Sequence, residues 1–117
     1  MRFNALALAP PHTRMPLLLL ATLAISCGTV RHPALENARD LYLKARQDPV
    51  VVRHAATALD RAGQALEEAD RLWAREKDVT EVEHLAYIVA KRVEIARVTA
   101  QRRLAADEIR QIRSARP

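Results

Sequence analysis

Apolar side chains recur at three- and four-residue spacing through the second half of the chain. From Thr80 onwards they fall on one face of a helix, because an α-helix turns once every 3.6 residues. The stripe consists of Val82, Leu85, Ala86, Val89, Val93, Ala96, Ala100 and Leu104. This spacing predicts one long amphipathic helix over 80–113. Thr80 and Glu83 are spaced as a capping box at its start.

A second long helix is predicted over 49–76, with Asp48 as its cap and Pro49 in its first turn. Its small seam comprises Val51, Ala55, Ala58, Ala62, Ala65, Ala69 and Leu72, and a row of larger residues comprises Val52, Leu59, Leu66 and Trp73. Small side chains allow helices to approach closely, so we expect this helix to form an antiparallel hairpin with the helix over 80–113.

A shorter helix is predicted over 34–46, where Leu35, Ala38, Tyr42 and Ala45 form an apolar stripe. The segment 47–49 ends it, because proline cannot continue a helix. The predicted fold class is therefore all-α: an antiparallel hairpin of two long helices with the shorter N-terminal helix packed on it. The three helices make one alanine-rich domain over 34–117.

The first 26 residues have the pattern of an export signal. Basic residues come first, and an apolar run over 15–25 follows. That run is shorter than the roughly 20 residues that span a bilayer. It ends in Ala24-Ile25-Ser26-Cys27, which resembles the lipobox of bacterial lipoproteins, although Ala24 stands where that motif usually has leucine.

The resemblance predicts cleavage between Ser26 and Cys27 and acylation of Cys27, for example with palmitate. Residues 27–33 would then be the lipidated cysteine and a short tether. Several acyl chains hold a protein stably on a membrane where one does not. Gly28 stands where aspartate retains enterobacterial lipoproteins in the inner membrane, so the resemblance favours the periplasmic face of the outer membrane. The alternatives are an ordinary secretory signal and a buried core thiol.

Positive charge is concentrated towards the C-terminus. The whole chain has a formal charge of +5, and residues 91–117 contain eight basic and three acidic side chains. One interpretation is that these bases complement a helix C-terminus and an acidic neighbouring helix. The other is a surface for anionic lipid or cell-wall polymer. The candidate anion-binding residues are Arg102, Arg103, Arg110 and Arg113. Their end of the hairpin is expected to lie away from the membrane.

Residues suited to catalysis or metal binding are few. His54 and His84 lie near the starts of two predicted antiparallel helices, so we expect them at opposite ends of the hairpin. Neither has neighbours at metal-ligand spacing. Without a phosphate-binding loop or an aromatic and basic platform, we expect no enzyme, cofactor or metal, and no nucleic-acid binding. Part of the larger apolar row is instead expected to pack on a partner helix or a second copy: Leu59, Leu66, Trp73, Ile88 and Ile95.

Three segments together resemble a known family. They are the run 45–50, the alanine seam of the second helix, and Val82-Glu83-His84-Leu85-Ala86-Tyr87 with the alanines that follow. This pattern is similar to uncharacterised alanine-rich helical domains of Gram-negative lipoproteins, which often precede OmpA-type peptidoglycan-binding domains. The resemblance implies an envelope location and a non-catalytic adaptor or structural role. The printed chain stops at Pro117, so we expect any OmpA-type module to belong to a partner.

Overall fold

The computed structural model describes residues 30–117, which form four helices and, within that range, no strand. They are α1 (Pro33–Gln47), α2 (Pro49–His54), α3 (Ala56–Arg75) and α4 (Val79–Ser114). The long helices α3 and α4 pack together as an antiparallel hairpin, and α1 packs on both. The predicted all-α hairpin with a shorter N-terminal helix is confirmed. The predicted signal peptide and Cys27 lie outside the described residues.

Helix α1 starts beside the turn that joins α3 to α4. The Trp73 indole Nε1 donates a hydrogen bond to the carbonyl oxygen of Val30 at 3.0 Å. Further along, Arg39 Nε donates to Asp70 Oδ1 at 3.0 Å. Residue numbers rise along α1 as they fall along α3, so these two helices are antiparallel. The chain therefore enters the bundle at the same end as the α3–α4 turn.

The single helix predicted over 49–76 is wrong at Ala55, which separates α2 from α3. Ala55 has φ −140° and ψ 33°, outside the helical region. The break frees the carbonyl of His54, and Arg103 Nη1 on α4 donates a hydrogen bond to it at 2.7 Å. An unbroken helix would align Val52 with Leu59, but Val52 is 47% exposed. The break instead accompanies the packing of α2 on α4, with Val51 fully buried.

The helix starts agree only in part with the predicted caps. Asp48 caps α2 as expected, because its Oδ1 accepts a hydrogen bond from the Val50 N–H at 2.9 Å. The predicted capping box of Thr80 and Glu83 is wrong. Asp78 caps α4 instead, accepting from the Glu81 N–H at 3.0 Å. Aspartate and threonine are both good N-caps, and here the cap is Asp78, which comes earlier in the chain. Helix α4 therefore begins at Val79, one residue before Thr80.

The core is built from small side chains. Its largest fully buried residues are one leucine and four valines, namely Leu35, Val51, Val82, Val89 and Val93. Alanines from all three longer helices fill the space between them. This composition allows close helix packing but supplies little apolar area per residue. The core-facing apolar stripe of α4, which we call the inner stripe, is largely buried up to Ala100 and half-buried at Leu104, and every residue after Asp107 is exposed.

Candidate interaction surface on α4

Helix α4 carries a second apolar row on the face opposite the core. Its positions alternate three and four residues apart and are Ile88, Lys91, Ile95, Val98, Arg102, Ala105, Ile109 and Ile112. We call this row the outer seam. Ile95 is 59% exposed and Ile112 is 60% exposed. A row with this spacing is typical of the seam of a coiled coil. Ile88 at its start packs partly against the core, whereas Ile95, Val98, Ile109 and Ile112 are exposed.

A shallow groove of about 230 Å³ lies beside the middle of the outer seam. It is lined by Ala58 and Arg61 of α3 and by Arg92 and Ile95 of α4. Arg92 Nη1 donates a hydrogen bond to the carbonyl oxygen of Arg61 at 3.0 Å, which holds the two helices together at this point. The groove is therefore lined by two apolar residues and two arginines.

Two of the four predicted anion-binding arginines have structural contacts. Arg103 holds the carbonyl of His54, as described above. Arg110 forms an ion pair with Asp107 on the preceding turn of α4. Arg102 and Arg113 are exposed, and the guanidinium group of neither forms a hydrogen bond or ion pair among residues 30–117. These two are therefore the members of the set best placed to meet an external anion.

Lys91, which interrupts the outer seam, is also paired. Its Nζ donates to Glu94 Oε2 at 3.0 Å. That hydrogen bond, with the nearby negative charge, raises the pKa of Lys91. The ammonium is therefore fully charged at neutral pH, and Lys91 remains a charged position within the apolar seam.

The five predicted partner-packing residues divide into three groups. Leu59 is 6% exposed and Leu66 is 8% exposed, so both pack in the chain's own core. The reason is that α3 is packed by α1 as well as by α4, which covers more of its surface than a two-helix hairpin would. Trp73 is half-buried, with the ring of His32 edge-on at 5.0 Å. Only Ile88 and Ile95 belong to the outer seam.

The seam could have been found more completely from the sequence. The sequence pattern predicts Ile88 and Ile95 as partner-packing residues, and Val98, Ile109 and Ile112 continue the same seven-residue repeat. The signal was missed because the stronger inner stripe of α4 dominates the helical periodicity. When one helix has apolar rows on two opposite faces, their contributions cancel and the helix looks less amphipathic than either row alone would suggest.

His54 of α2 and His84 of α4 lie near opposite ends of α4. His54 Nδ1 is 3.5 Å from Asp107 Oδ2, whereas His84 is exposed on the second turn of α4. The 23 residues from His84 to Asp107 correspond to about 35 Å of helix. Among residues 30–117 no group of three or more His, Cys, Asp or Glu could hold a metal ion. In the same range, no helix is both long and apolar enough to cross a membrane.

A family model described as a domain of unknown function, DUF4398, matches residues 33–112. The chain belongs to this family. The DUF4398 match begins at the first residue of α1 and ends within the last turn of α4, so it takes in nearly all of the four helices and the whole outer seam. No curated protein and no solved structure matches the chain.

Proposed function

We propose that this DUF4398 protein is a non-catalytic, lipid-anchored adaptor or structural component of the cell envelope. Acyl chains on Cys27 would hold it on the periplasmic face of the outer membrane, with an OmpA-type envelope protein as one candidate partner. The support for the anchor is the sequence pattern: a basic start, an apolar run over 15–25, and the lipobox-like Ala24-Ile25-Ser26-Cys27.

The observation that carries the adaptor role is the position of the two ends of the bundle. Val30, three residues after Cys27, lies against Trp73 near the α3–α4 turn. Helix α4 starts at that turn, and its 36 residues extend for about 54 Å. A protein anchored through Cys27 would thus present the Arg-rich half of α4 far from its lipid attachment. This is the geometry of a spacer that offers a surface to something beyond the membrane.

The non-catalytic part of the proposal rests on the surroundings of His54 and His84. A catalytic acid or base must reach a substrate that is held in a pocket. His54 Nδ1 lies 3.5 Å from Asp107 Oδ2, but neither residue lines the groove beside Ile95, and His84 lies on solvent near the other end of α4. The grooves near α4 are shallow and open to solvent.

The test is the intact mass and membrane fractionation of the protein expressed in a Gram-negative host, beside a Cys27→Ala variant. We expect a mature species that starts at an acylated Cys27 and sediments with membranes. The variant should lack the acyl mass and leave the membrane fraction. An unmodified wild-type protein in the soluble fraction would contradict the anchored role.

A second candidate function is recognition of an anionic cell-wall polymer or lipid by the Arg-rich part of α4. It is favoured by Arg102 and Arg113, whose guanidinium groups are exposed and uncommitted in the described chain. The test is co-sedimentation with isolated sacculi and with anionic vesicles at low and high salt. Arg102→Gln with Arg113→Gln should abolish binding, whereas Arg75→Gln at the opposite end should not. Binding that survives the double substitution would refute this function.

A further inference from the structure

We infer that the outer seam of α4 is a docking surface for an acidic amphipathic helix of another protein. The inference deepens the proposed adaptor role and rests on it, because it names the class of partner that the adaptor would hold. It is argued from the spacing of the seam, from the groove beside Ile95 and from the charge of this face.

The spacing of the seam matches a helix better than any other partner. Eight consecutive seam positions over 88–112 keep the alternation of three and four residues, and six of the eight are apolar. A helix face that contacts only water does not require a regular apolar row. A face that packs against a partner helix does, and this spacing is the one required. The 25 residues cover about 37 Å, long enough to accept seven turns of a partner helix.

The groove beside Ile95 supplies a specific point of contact. An apolar side chain of the partner would fill the space between Ala58 and Ile95. Arg61 and Arg92 line the same groove, so carboxylates next to that apolar side chain would have two arginines as partners. Arginine and carboxylate form strong, geometrically specific pairs. The groove therefore favours a partner whose apolar row is bordered by Asp or Glu.

The charge of the seam disfavours a second copy of this chain. Lys91 and Arg102 occupy seam positions, whereas the charged residues that border the seam balance one another, Arg92 and Arg113 against Glu94 and Glu108. A parallel dimer would place each of these two side chains against its own equivalent. An antiparallel dimer would still join two positively charged faces. An acidic helix instead meets the seam with opposite charge, which favours both encounter and register.

A lipid surface fits this face less well. Glu94 and Glu108 border the seam, and anionic headgroups would repel them. The chain leads towards the proposed anchor at Val30, which lies near the start of α4. The seam extends to the opposite end of α4, away from that anchor. A protein helix can match these acidic positions individually, whereas a membrane surface cannot.

The test uses the full chain and two labelled 28-residue synthetic peptides with isoleucine and leucine at the seam positions. One peptide has glutamate at the flanking positions but lysine at the two nearest Glu94 and Glu108, and the other has lysine at every flanking position. Like charges along each peptide oppose its self-association. We expect fluorescence anisotropy to show binding of the acidic peptide that is at least tenfold tighter than binding of the lysine peptide. Ile95→Asp and Ile109→Asp, each made separately, should weaken that binding at least tenfold.

The control variant is Leu43→Asp, which places the same charge at an exposed apolar position of α1. It should bind the acidic peptide as the wild type does, and circular dichroism should show equal helix content in all variants. Failure to bind either peptide, or equal binding of both, would overturn the inference. A dimer of the full chain that Ile95→Asp dissociates would also overturn it, in favour of a second copy. None of these outcomes depends on the mass of Cys27, so the anchoring proposal stands or falls separately.

Discussion

Gly63 in the middle of α3 provides the sharpest test of how closely α1 approaches the hairpin. A Cβ atom added at Gly63 would lie 2.6 Å from Oη of Tyr42 and 3.0 Å from its Cζ. Ordinary contacts between such atoms are about 3.5–4.0 Å. Gly63→Ala therefore cannot be accommodated unless the ring of Tyr42 moves, and that ring fills the space between α1 and α3.

Two opposing effects set the magnitude. Alanine favours a helix interior over glycine by about 1 kcal/mol. Overpacking of a close contact costs about 1–3 kcal/mol, and a value near 2 suits a half-buried ring that can shift partly. We expect Gly63→Ala to lower the free energy of unfolding by about 1 kcal/mol. In a Tyr42→Ala background the tyrosine ring no longer blocks the added methyl group. Gly63→Ala should then raise the free energy of unfolding by about 1 kcal/mol.

The assay is urea denaturation followed by circular dichroism on four proteins: wild type, each single variant and the double variant. The difference between the two Gly63→Ala effects is the coupling energy, expected at about 2 kcal/mol. Tyr42→Phe should give a smaller coupling, because it removes only Oη. If Gly63→Ala stabilises the protein equally in both backgrounds, the close packing of Tyr42 on Gly63 is refuted.

Three further substitutions test local features of the fold by the same denaturation assay. Lys77 has φ 55° and its Nζ lies 4.7 Å from the Trp73 ring centroid. Lys77→Gly and Lys77→Ala both lose that contact, so the glycine variant should be the more stable by about 1 kcal/mol, and equal stabilities would contradict the strained backbone. Asp78→Ala should lower the free energy of unfolding by about 1 kcal/mol and Thr80→Ala by less than about 0.5 kcal/mol. The reverse order would mean that Thr80, not Asp78, caps α4. Asp70→Asn should cost about 0.5–1 kcal/mol at low salt and less in 1 M NaCl, because its partner Arg39 is partly exposed; a salt-independent cost would point to packing instead. The hydrogen bond that Arg39 donates to Asp70 raises the pKa of Arg39. The stability contributed by a base with a raised pKa is fully present below the pKa of that base in the unfolded chain, which for arginine lies far above neutral pH, so this contribution should not change between about pH 6 and 9.

The overall architecture could be predicted because it follows from local periodicity. The inner stripe of α4 and the small residues of α3 each repeat over many turns, so single exceptions do not obscure the pattern. The break at Ala55 could not be predicted in the same way, because neither glycine nor proline marks it. It depends on contacts of α2 with α1 and α4, which are absent from the local sequence.

The interaction surface was predicted less well, because periodicity does not reveal how many neighbours a helix has. Leu59 and Leu66 form a regular row that would be free in a two-helix hairpin. In the folded chain α1 packs on α3, and both leucines are buried. Ile95 belongs to an equally regular row on α4 but remains exposed. Only the tertiary arrangement distinguishes a row that is covered within the chain from a row that is left for a partner.

The last turns of α4 connect the stability of the chain to its proposed partner. All residues after Asp107 are exposed, including Ile109 and Ile112 of the outer seam. Short helical segments without tertiary packing are marginal in water. Backbone amides over 108–114 should therefore exchange hydrogen rapidly in the free protein, while those of the inner stripe near Val89 and Val93 exchange slowly.

Binding of the acidic peptide should change this pattern in a defined way. A ligand at 100 times its dissociation constant stabilises the state it binds by about 2.7 kcal/mol, which corresponds to roughly a hundredfold slower exchange. We expect that protection over 108–114, measured by hydrogen exchange with mass spectrometry, and little change in α1. The lysine peptide should leave both regions unchanged. Protection confined to α1, or none despite demonstrated binding, would mean that the peptide binds elsewhere and that the end of α4 has another purpose.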